Sequence, residues 1–142
     1  MKRSAAWQAD LSAFLEINQF RKFRYGEWDC CLFVCDAIQV MTGVDVAEWF
    51  RGTYSDRVSA CRRLKEFCGA VSILRVVREI TKAHEMAACG ILQARRGDVV
   101  LVKRGRRVSL GLVAMNGKDV IVASRKGLWR MPMSEALRAW HV

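Results

Sequence analysis

The chain has 142 residues, 52% of them hydrophobic and 27% charged, with 10 glycines and a single proline. This is one domain's worth of protein, and its composition excludes a disordered, collagen-like or linker-like chain. Lys and Arg total 24 against 14 Asp and Glu, and the net charge of +10 points to an anionic partner: nucleic acid, an acidic protein neighbour or an envelope polymer.

The spacing of Leu11, Phe14 and Leu15 predicts a helix over Asp10–Phe20. A basic-aromatic connection follows, from Arg21 to Trp28, with Tyr25 and Gly26 inside it. Asp29 is a good N-cap and Gly43 a good stop, so Cys30–Thr42 reads as a helix. It is apolar almost all round, broken only by Asp36 and Gln39, which predicts a position in the middle of the domain. Ser55–Cys68 reads as a surface helix with Val58, Cys61, Leu64 and Phe67 or Cys68 inward. Ala70–Ala88 reads as a further helix despite the β-branched Val71, Ile73, Val76 and Val77.

From Gly97 the period changes. Asp98–Lys103, Val108–Ala114 and Asp119–Ser124 read as three strands, with turns at Arg104-Gly105-Arg106 and Asn116-Gly117. Pro132 closes this part, and Ser134 is a candidate cap for a short last helix through Trp140. The sum is an α+β domain: N-terminal helices packed on a small antiparallel sheet, one domain over residues 1–142.

No apolar run reaches membrane-spanning length, and Asp10, Glu16 and Asn18 interrupt any signal-peptide pattern after Lys2 and Arg3. The six cysteines (Cys30, Cys31, Cys35, Cys61, Cys68, Cys89) are therefore expected as free thiols in a reducing cytosol, mostly as small buried hydrophobes. Their spacing matches no common zinc or iron–sulfur pattern, so no cofactor or metal is expected. A metal held by several of the six is a third reading of the chain's function, after the two given below. No zinc finger, aromatic RNA-binding strand or basic heptad is present, so nucleic acid is not the expected partner.

Cys30 sits just after the predicted cap Asp29. A helix N-terminus presents unpaired N–H groups and partial positive charge, which favour a thiolate. A nucleophilic cysteine there, facing a sheet that supplies a histidine, is the papain-type arrangement. The alternative is one more core cysteine. Asp36 and Asp98 read as a helix-surface charge and a turn carboxylate, and His84 as an exposed helix residue. His141, beside Trp140, could fold back over a cleft, though nothing demands it. The basic clusters Arg95-Arg96, Lys103 to Arg107 and Arg125 to Arg130 flank the strands and could gather into one surface for an acidic neighbour. Trp7, Trp49 and Trp129 are candidate interface anchors, with core packing the alternative for each.

The stretch Tyr25-Gly26-Glu27-Trp28-Asp29-Cys30-Cys31-Leu32-Phe33-Val34 resembles the nucleophile segment of NlpC-type cell-wall peptidases. Arg96-Gly97-Asp98-Val99-Val100-Leu101-Val102 resembles their Gly-Asp-hydrophobic strand. Ser109-Leu110-Gly111-Leu112-Val113, Asn116-Gly117-Lys118 and Val120-Ile121-Val122-Ala123-Ser124 resemble the strands that follow, in order. The chain resembles in particular the small NlpC-like proteins of bacteriophage tail modules, with their Trp-Asp-Cys segment and a terminal Trp such as Trp140. The resemblance implies a papain-like fold, Cys30 as the nucleophile and Tyr25 near the oxyanion site. It also shows a departure: Ser109 occupies the expected histidine slot and Val122 the expected third slot. A serine cannot take up a proton near neutral pH as a histidine does. The implied function is a structural component of a phage tail tip or baseplate built on a degenerate peptidase domain. Its partners would be hub and baseplate proteins, and its location the virion after synthesis in the bacterial cytoplasm. The alternative is an active cysteine peptidase or amidase that cleaves peptidoglycan peptides during infection.

Overall fold

A computed structural model describes all residues 1–142. Four helices precede most of the sheet: α1 (Trp7–Ile17), α2 (Cys30–Thr42), α3 (Arg57–Cys68) and α4 (Ile73–Ala83). Six strands follow: β1 (Ala88–Cys89), β2 (Val99–Arg104), β3 (Arg107–Val113), β4 (Asp119–Ser124), β5 (Gly127–Pro132) and β6 (Ala136–Trp140). They form one antiparallel sheet in the order β1-β6-β2-β3-β4-β5. The molecule is thus α+β. No helix is long and apolar enough to cross a membrane.

α2 is the central element. Leu32, Phe33, Val34, Cys35, Ala37, Ile38 and Met41 are all buried, because a helix apolar on every side has to be covered on every side. α1 covers one flank of it, and β3 and β4 the other. Leu101, Leu110, Leu112, Ile121 and Ala123 reach it from the sheet. The alternate residues Val100, Val102, Val113, Val120 and Val122 point the other way. There they pack under Ile91, Ala94, Met131 and Met133, forming a second, smaller core. Gly111 lies where β3 and β4 approach too closely for a side chain: a Cβ would sit 2.6 Å from the Ile121 carbonyl oxygen.

Several expected boundaries shift. α1 starts at Trp7, after an Ala6 with no capping side chain, and ends at Ile17, where the Asn18 side-chain amide donates to the Phe14 carbonyl at 2.8 Å. α4 stops at Ala83; Glu85 takes a positive φ of 54° and ends the helical run, and the chain continues into β1. In α3 the inner stripe is only half buried, and Val58 faces solvent. The expected last helix after Ser134 is a strand. β6 inserts between β1 and β2, and pairing on both edges outweighs the modest helix preference of its five residues. β5 has no clear pattern of its own in the sequence; it extends the meander beyond β4.

Of the six free cysteines, Cys35 alone is fully buried and the other five are half-buried. Asp98 is a buried anchor rather than a turn surface charge, being 1% exposed. Its carboxylate accepts from the Arg3 guanidinium, the Arg95 N–H (2.8 Å) and the Val142 N–H (3.3 Å), and meets His141 Nδ1 at 2.7 Å. Both ends of the folded chain are tied to this one side chain. We expect Asp98→Ala to lower unfolding free energy by about 3 kcal/mol, since it strands a partly buried guanidinium and two N–H groups. Urea denaturation checks this, with exposed Asp10→Ala shifting stability by less than about 0.5 kcal/mol.

Candidate functional site

The site begins with Asp29. Its backbone is extended, and its carboxylate caps α2 by accepting from the Cys31 (3.1 Å) and Leu32 (2.9 Å) N–H groups. The second oxygen accepts from Gly26 N–H at 3.1 Å and from the Tyr54 hydroxyl. Gly26 has a φ of 79°, and a Cβ there would sit 1.8 Å from the Tyr54 carbonyl oxygen. Glycine is required both by the turn and by the loop lying on it. That loop is fastened from behind. Arg51 bonds Asp45 through Nε (3.1 Å) and Nη2 (3.0 Å) and reaches Asp36 of α2 at 2.7 Å. Asp36 is therefore not a free surface charge.

Cys30 follows the cap and opens onto a groove of about 1660 Å³. Residues 49–57, α3 and the start of α4 form one wall. The β2–β3 hairpin tip, the β4–β5 turn and β6 contribute the other. Tyr25 lines the groove with its ring edge-on to Phe23, centroids 4.9 Å apart. The Cys30 thiol is held below its ordinary pKa. The Cys31 thiol bonds to it first of all, and the Leu110 backbone and the Ser109 hydroxyl add to this against the opposing effects of burial and the Asp29 charge. The Cys31 thiol is pushed well above its ordinary value by that same bond and by burial. Burial also raises Cys35. The Tyr54 phenol is raised by burial and then by the adjacent Asp29 charge.

The structure therefore brings Cys30, Tyr25 and Ser109 to one groove. Val122 is not with them. It is fully buried among the valines of the sheet's far face, and its neighbours Ile121 and Ala123 point toward α2. Neither histidine lines the groove. His84 caps the C-terminus of α4, and His141 is bound to Asp98. No imidazole is positioned to exchange a proton with Cys30. Tyr54, the one side chain that donates to Asp29, carries no sequence signal; no motif marks it, and its partner lies 25 residues away.

Metal-ligating groups gather elsewhere. Cys89, Asp98 and His141 offer donor atoms within 4.8 Å of one another. The Asp98 oxygens already serve Arg3, Arg95, His141 and Val142, so the guanidinium occupies the place a cation would take. Of the three tryptophans, Trp7 packs on the core under Arg3 (4.2 Å), and Trp49 stacks on Phe67 at 3.5 Å. Trp129 is exposed at the groove rim.

Two outcomes check this geometry. Iodoacetamide near neutral pH should label Cys30 ahead of Cys31 and Cys35 in peptide mass mapping, because the thiolate is the reacting form; equal labelling would show that the donors around Cys30 do not hold it. In a Tyr25→Phe variant, which leaves Tyr54 as the one tyrosine, the tyrosinate absorbance rise should be missing through the ordinary phenol range.

Over residues 2–142 the chain matches the family described as Domain of unknown function (DUF6950), and it belongs to that family. No curated protein matches it.

Proposed function

We propose that this member of the DUF6950 family is a binding domain on a papain-like, NlpC-type fold, with the nucleophile position kept and the proton-transfer apparatus lost. It serves as a structural component of a bacteriophage tail tip or baseplate. The observation that carries the binding reading is the surroundings of Cys30. The groups that hold its thiol below the ordinary value are the Cys31 thiol, the Leu110 backbone and the Ser109 hydroxyl, and none is a proton acceptor near neutral pH. Thiol acyl transfer needs a proton delivered to the leaving amine as the amide C–N bond breaks. An imidazolium supplies it in the papain arrangement; the Ser109 hydroxyl that stands here holds its proton too tightly. Loss of such a group costs on the order of 10²–10⁴ in rate. The tail setting rests on the resemblance of the segments around Tyr25–Val34, Arg96–Val102 and Ser109–Ser124 to small tail-encoded NlpC-like proteins, and on the excess of positive charge for an acidic neighbour.

The second reading, a cysteine peptidase or amidase acting on peptidoglycan peptides, has one observation in its favour: the depressed Cys30 thiol at a helix N-terminus inside a large groove. Incubation with purified sacculi and soluble stem peptides separates the two. We expect no fragment release above that of Cys30→Ala; turnover that disappears in Cys30→Ala would establish the peptidase instead. Proteomics of purified virions tests the setting. The chain should be recovered in fixed ratio to tail-tip proteins, and its recovery from lysate alone would overturn the structural role.

A further inference from the structure

We propose that the groove beside Cys30 is the docking site for an extended acidic segment of a partner polypeptide, with apolar side chains interspersed among its carboxylates. This deepens the binding reading and rests on it only for the segment being held rather than cut; which segment the groove selects is a separate claim.

Charge is the first observation. Nine arginine and lysine side chains line the groove against two carboxylates, Asp29 and Asp56. Both carboxylates are occupied: Asp29 by four donors, Asp56 by the N–H and hydroxyl of Ser59 at 2.7 Å each. Only Arg24 and Arg63 among the nine have a carboxylate partner. The other seven, including Arg57, Arg106, Arg107, Arg125 and Arg138, have none within 4.0 Å and come from both walls. Cations collected without counter-charges in a concave surface focus a positive field on its interior.

Size and lining select among anions. The volume of about 1660 Å³ exceeds the roughly 300–1,000 Å³ of a small-ligand pocket, so it suits a length of polymer. Val71, Val108, Leu137 and Trp129 are exposed along it and want apolar cover. A nucleic-acid strand would need aromatic faces for its bases. Here Trp129 at the rim offers a single open aromatic face, because Trp49 is covered by Phe67 and Phe23 and Tyr25 close on each other, so no run of successive bases could stack. A polypeptide with carboxylates and apolar side chains satisfies both features of the groove.

Fluorescence anisotropy on the full chain tests this with a labelled peptide alternating glutamate and leucine. A lysine–leucine peptide and an oligothymidylate of matched charge serve as comparators. The acidic peptide should bind best and weaken with salt. Arg106→Glu with Arg107→Glu should weaken it on the order of tenfold. Arg96→Glu with Lys118→Glu, the same charge change outside the groove, should leave it within about twofold. If the hairpin pair fails to fold by circular dichroism, Arg125→Glu with Lys126→Glu replaces it. Tighter binding of the oligothymidylate, equal losses in both pairs of variants, or no binding of the acidic peptide would overturn the proposal. Mass spectrometry of the recovered peptide reads the other claim separately: a cut peptide would refute the non-cleaving reading and leave the docking site standing.

Discussion

A single buried carboxylate organises the functional end of this protein. Asp29 accepts from Gly26, Cys31, Leu32 and Tyr54 together. Through them it ends one turn, starts the central helix and fixes the loop that walls the groove. A carboxylate withdrawn from water is costly unless donors replace its hydration, and these four donors serve three structural tasks, with Cys31 and Leu32 sharing the helix cap. The position of the Cys30 sulfur is a by-product of that arrangement: it is the first residue after the cap, so it lies wherever Asp29 fixes the helix end. Arg51 extends the same logic outward by clamping the 45–54 loop to Asp36.

The electrostatics of the groove and of the thiol belong together. Asp29 is the nearest negative charge to Cys30 and opposes its ionisation, yet donors from Cys31, Leu110 and Ser109 outweigh it. A groove that is positive overall and donor-rich at its floor suits anions, whether a thiolate or a carboxylate. What it does not supply is a group that takes a proton and returns it. The difference between holding charge and moving protons is the difference between the two functional readings.

Local signals were legible and long-range ones were not. Asp29 and Gly43 gave both ends of α2 because a cap and a left-handed stop act on their own helix. Asp119–Ser124 was readable from β-branched content behind an Asn-Gly turn. The start of α1 carries no such signal, because Ala6 offers no capping side chain. β6 was misread as helix because its strand identity comes from neighbours on either side, not from its own residues. Asp98 looked like a turn charge because its side-chain partners, Arg3 and His141, lie 95 and 43 positions away. At the site, Cys30 is legible from its place after the Asp29 cap, whereas Tyr54 meets Asp29 only through the fold.

The insertion of β6 between β1 and β2 has a consequence for biogenesis. Residues 136–140 are the last of the six strands to leave the ribosome, yet they occupy an interior place in the sheet. Until they emerge, the outer edge of β2 and the two residues of β1 have no neighbour, and the valines beneath lack part of their cover. The helices and the β2–β5 meander can form before residue 136 emerges, but the sheet closes only once β6 has followed. A nascent chain stalled before residue 136 would present an open strand edge, the kind of surface that chaperones bind and that drives self-association.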